Sequence, residues 1–141
     1  MTNLIAGLAL ALTFGGMTFF SAVMAPLVFT KLPAETAGAF IRAVFPWYYL
    51  TLGATTLVAL LALLPGMADS TTWEAVLTAG VLLGFLYARQ VLMPRINAAR
   101  DAGLAGDPDA GRRFGRLHRA SVAVNGIQWL AVLLVLAMVL T

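Results

Sequence analysis

Long runs without a charge alternate with short polar breaks along this chain. Met1 to Thr30, Ala43 to Ala68 and Ala120 to Thr141 contain no Asp, Glu, Lys or Arg, and Ala75 to Pro94 is interrupted only by Arg89. A helix crosses a bilayer core with about 20 apolar residues. The pattern therefore predicts an all-α integral membrane protein, a four-transmembrane-helix bundle with spans at approximately 4–30, 44–65, 73–94 and 116–140. Between the first two spans, Ala37, Phe40, Ile41, Val44 and Phe45 fall at helical spacing, with Glu35 and Arg42 elsewhere. That spacing predicts a short amphipathic helix over Pro33–Phe45, lying on the inner surface.

Local signals set the span ends. Thr71-Thr72-Trp73-Glu74 has the spacing of a capping box, hydroxyl then carboxylate three residues on, at the start of span three. Asp107-Pro108-Asp109 reads as an N-cap followed by proline at the first helical position of the fourth helix. Trp73, and Trp47 with Tyr48 and Tyr49, suit headgroup-level anchors. No internal repeat or low-complexity linker is visible, so residues 1–141 read as one domain.

Composition sharpens this picture. With 61% hydrophobic residues and a mean hydropathy of +0.91, a soluble bundle is excluded, because each of its helices would need a polar face. Without cysteine there are no disulfides and no thiolate metal sites. The net charge of +3 is explained by topology rather than nucleic acid. Lys31 and Arg42 lie between spans one and two, and Arg95, Arg100, Arg112, Arg113, Arg116 and Arg119 between spans three and four. In a four-helix chain these loops share a side, and basic loops mark the cytoplasm. Both termini are then expected on the outer, periplasmic side of a bacterial cytoplasmic (inner) membrane. Pro26, just after the small residues at 21–25, argues against cleavage of the first span as a signal peptide.

Candidate chemistry is sparse. His118, Ser121, Asn125 and Gln128 fall on one face of helix four. Asn125 would lie roughly 7 Å and Gln128 roughly 12 Å into the span at about 1.5 Å per residue. Side chains at such depth face protein or water. They are read either as interhelical hydrogen-bonding or as a polar vestibule. Arg89, Asn97 and Arg100 complete the candidate pocket, with Pro94 expected to kink span three toward helix four. His118 is expected to be neutral, since like charges on Arg116 and Arg119 disfavour its protonated form, and to partner Asn97, Asp101, Tyr48 or Tyr49. Asp101 is expected to pair with Arg100 or a helix-four arginine. Gly7, Ala11 and Gly15, and Gly80 with Gly84, have the small-residue spacing of close helix packing, read as contacts within one bundle rather than between copies. Met17 and Met24 at helical spacing read as packing filler. No catalytic, cofactor-binding or metal-ligating set stands out.

Gly15-Gly16-Met17-Thr18-Phe19-Phe20, Ala25-Pro26 with Phe29, Leu32-Pro33, Gly38 and Phe45-Pro46-Trp47-Tyr48-Tyr49 resemble the first half of the domain-of-unknown-function 4149 family. These are bacterial relatives of eukaryotic transmembrane protein 205. Pro94-Arg95-Ile96-Asn97, Arg100-Asp101 and Phe114-Gly115-Arg116-Leu117-His118-Arg119-Ala120-Ser121 with Asn125 resemble its second half. The resemblance implies a four-helix membrane protein and little chemistry. The leading expectation is a non-enzymatic structural or accessory subunit that packs in a homo-oligomer or larger membrane complex. The alternative is transport or binding of a small molecule or metal through a cytoplasm-facing polar pocket. The bilayer and further membrane subunits are the expected partners.

Overall fold

The computed structural model describes residues 2–68 and 71–141; two residues of the connection between Gly66 and Trp73 lie outside the described set. Four helices run through it: α1 (Thr2–Lys31), α2 (Ala34–Gly66), α3 (Thr72–Leu104) and α4 (Ala110–Leu140). Each is 30 to 33 residues long and apolar enough to cross a membrane. At about 1.5 Å per residue they extend well beyond a ~30 Å hydrocarbon core. No strand occurs among the described residues.

The helices form a ring in chain order, α1 against α2 and α4, α3 against α2 and α4. Hydrocarbon supplies no hydrophobic drive between helices, so close packing and hydrogen bonds hold the seams. Thr13 and Thr55 hydroxyls meet at 2.7 Å between α1 and α2. The Thr71 hydroxyl donates to the Leu63 carbonyl, 2.8 Å, between α3 and α2. Gln128 Nε2 donates to the Val81 carbonyl, 2.9 Å, between α4 and α3. Trp129 Nε1 donates to the Thr18 hydroxyl, 2.8 Å, between α4 and α1.

Several local expectations are corrected. The segment over Pro33–Phe45 is helical but is not a separate surface helix. It forms the opening turns of a helix continuous from Ala34 to Leu63, with Pro46 inside it. Thr71 does precede the first residue of α3, yet its hydroxyl makes no side-chain cap; its bond to Leu63 clamps the two helix ends together. Helix α4 begins at Ala110, past Pro108. The Asp107 carboxylate instead accepts from the Asp109 amide at 2.8 Å, closing a tight turn.

A further correction concerns repetition. Helices α1 and α3 each contain one π-turn, Phe20–Met24 and Ala88–Leu92. Each ends two residues before a proline, Pro26 and Pro94. At the same constant spacing the buried positions coincide: Ala6 with Glu74, Gly7 with Ala75, Leu10 with Thr78, Thr13 with Val81, Met17 with Phe85. In α2 and α4, Leu52 pairs with Gln128, Thr56 with Val132 and Ala59 with Val135, all buried. Even a close contact repeats, with Gly16 against the Leu52 side chain and Gly84 against that of Gln128. The chain is built from two similar hairpins, α1–α2 and α3–α4.

Candidate functional site

Gln128 is the most deeply placed polar side chain of the candidate set, with 4% of its surface exposed. Its bond to Val81 depends on Gly84, where a Cβ would stand 2.7 Å from Gln128 Nε2. That bond fixes the amide with Nε2 toward α3, and Oε1 is buried without a hydrogen-bond partner. One turn along α4, Asn125 Nδ2 reaches the Tyr49 hydroxyl across the bundle and the Ser121 carbonyl, each at a long 3.4 Å. Asn125 Oδ1 is also buried without a partner. Arg89 lies in the π-turn of α3. Its Nε is turned inward and buried, again unpartnered, and no ion pair joins it to a carboxylate among the described residues.

The remaining candidates gather at the basic end of the bundle and do not share these contacts. His118 is exposed. Its ring lies parallel to that of Phe114, centroids 5.8 Å apart, and it forms none of the expected hydrogen bonds to Asn97, Asp101, Tyr48 or Tyr49. His118 shares a helical face with Asn125 and Gln128 but lies beyond the stretch of α4 that enters the core, which begins near Gln128 and continues through Val132 and Val135. Asn97 is half-buried. The Arg100 guanidinium lies directly against the Cα of Gly38, and a side chain there would have to displace it. Asp101 pairs with Arg42 of α2, through bonds of 2.6 and 3.1 Å, instead of with Arg100 or α4. Gly38 and Arg42 thus tie the start of α2 to the end of α3. In the turn before α4, Arg113 pairs with Asp107 and Arg112 with Asp109, each at 2.5 Å. The Arg113 guanidinium, followed by the Asp109 amide, holds the Asp107 carboxyl below the usual carboxylate range.

The packing glycines divide. Gly7 lies against Val139 and Leu140, and Gly84 against Gln128. Ala11, Gly15 and Gly80 are on the outer surface of the bundle, and a Cβ at Gly15 or Gly80 would meet nothing within 4 Å. Two open apolar grooves, of about 410 and 350 Å³, run along the outer α1–α2 seam, the first past Gly16, Trp47 and Tyr48, the second past Leu8, Leu12 and Val58.

Gly16 and Gly38, named above only for the resemblance, lie close to Leu52 and Arg100 of neighbouring helices, contacts that appear only across helices. The aromatic cluster expected from Tyr48 and Tyr49 extends to Phe20 and Phe45. Phe20, Phe45, Tyr48 and Tyr49 pack in tilted and edge-on pairs with ring centroids 4.6 to 5.7 Å apart.

Four membrane-length helices closed around a largely apolar core define a small multi-pass membrane protein. More particularly, the chain belongs to the family described as Domain of unknown function (DUF4149), whose family model matches residues 8–105. That match covers most of α1, all of α2 and all of α3. No curated protein and no solved structure matches the chain.

Proposed function

We propose that this protein is a non-enzymatic structural or accessory subunit of the bacterial cytoplasmic membrane, acting by helix packing in a homo-oligomer or a larger membrane complex. The observation that carries this reading is the open space at Gly15 and Gly80. Both expose bare backbone on the outer surface of equivalent helices, between larger exposed side chains such as Leu8, Leu12, Phe19, Val76 and Leu83. A notch of that shape lets a neighbouring helix approach closely, which is how packing alone drives association in lipid. With the arginine-rich end in the cytoplasm, both termini are periplasmic.

Mass measurement after purification in mild detergent tests the reading. The expected result is an oligomer or a co-purified partner, reduced to the monomer by Gly15→Leu with Gly80→Leu. Both substitutions point into open space, so the bundle itself should stay folded. A monodisperse wild-type monomer without a partner would sink the proposal.

A further inference from the structure

The two hairpins provide an internal comparison at the depth of the π-turns. In the first hairpin this level is filled by Phe20, Phe45, Tyr48 and Tyr49. The equivalent positions of the second hairpin are Ala88, Ser121, Val124 and Asn125. Aromatic rings are replaced by small or polar side chains. Beside them, Ser21 is matched by Arg89 and Leu52 by Gln128.

This exchange is not demanded by the fold. Leu52 packs against Gly16 where Gln128 packs against Gly84, so an apolar side chain suffices for the same contact. Yet the second hairpin places an amide there, and Gln128, 4% exposed, keeps Oε1 without a partner. Buried polar groups are normally hydrogen-bonded. Three such atoms, Arg89 Nε, Asn125 Oδ1 and Gln128 Oε1, belong to α3 and α4, and the π-turn that carries Arg89 packs against α4.

We propose that Arg89, Ser121, Asn125 and Gln128 together border a niche at the α3–α4 seam that binds a small oxyanion carrying an O–H group of its own. The charge follows from Arg89, a cation within the third apolar helix whose Nε is buried and which has no carboxylate partner among the described residues. Arginine matches carboxylate and phosphate oxygens in both charge and shape. The O–H follows from the amide oxygens, which accept and cannot donate. An anion without a donor would be repelled by both of them. Hydroxycarboxylates and monoprotonated phosphate have the required combination, the latter free in solution or as a lipid phosphomonoester headgroup.

The test uses the full chain in nanodiscs, with thermal unfolding as the readout. In neutral phosphatidylcholine, L-lactate and inorganic phosphate are titrated; in a second arm, phosphatidic acid is included and no soluble anion is added. A saturable rise in unfolding temperature in either arm is expected, and the arm that responds identifies the source. Gln128→Leu and Arg89→Ser install the first hairpin's own residues and should fold. Each should weaken the responding ligand at least tenfold. Leu134→Ala, on the exposed side of α4, should leave the response unchanged and checks that reconstitution itself is sound. No response of the wild type in either arm would overturn the proposal, as would a response that both niche variants retain in full.

Discussion

A methyl group added at Gly84 would land on the carboxamide of Gln128, whereas one added at Gly80 would meet open space. The two glycines of one GxxxG motif should therefore answer alanine oppositely. Gly84→Ala displaces Gln128 from Val81 and should cost up to about 2 kcal/mol, the upper range for a hydrogen bond between membrane helices. Gly80→Ala should be neutral, or stabilise by up to about 1 kcal/mol through helix propensity. Unfolding of the two variants in a mixed-micelle titration measures both. The sequence made the polar face of α4 legible, because Asn125 and Gln128 stand out in an apolar run. It could not show which glycine of a pair has a neighbour, since that depends on the azimuth of a second helix. His118 illustrates the same gap. Its spacing from Ser121 and Asn125 is helical, but α4 has already left the packed core at that turn, and the ring stacks on Phe114 instead.

At the scale of elements, charge-free length located the four helices, while the interruptions in their hydrogen bonding were hidden. Proline cannot donate an amide, and its ring crowds the carbonyl four residues back. In α3 the Met93 amide reaches back to the Ala88 carbonyl, and in α1 the Ala25 amide reaches Phe20, widening the turn just before each proline. Hydropathy carries no mark of such a shift in bonding. The turn before α4 is more tractable. Because the folded state holds the Asp107 carboxyl below its ordinary value, its ion pair with Arg113 supports the turn fully above the unfolded value near 3.9. That support disappears as pH falls through the still lower folded value. Hydrogen exchange of the Asp109 amide, which donates to Asp107, should respond little to protonation of this carboxyl between pH 7 and 5, and lose protection in stronger acid. Asp107→Asn should remove that acid-dependent step.

For the whole molecule, the likeness of the two hairpins was the least legible property. Only scattered identities align between the halves, such as Ala11 with Ala79, Gly16 with Gly84, Val23 with Val91 and Pro26 with Pro94. A longer basic connection in the second half also breaks the register between them. Burial restores the register because it records three-dimensional position rather than residue type. The likeness of the hairpins has a consequence for how the chain enters the membrane. A two-helix unit returns to the side from which it started, so both copies must point the same way. Each copy carries its own basic connection, Lys31 with Arg42 in one and Arg95 to Arg119 in the other. In the proposed orientation each copy thus presents the same positively charged signal to the cytoplasmic side. Neutralising the first connection with Lys31→Gln and Arg42→Gln should leave Thr141→Cys labelled by an impermeant thiol reagent in intact cells, and Ala105→Cys unlabelled. Neutralising both connections should scramble that pattern, leaving a population of chains that face either way.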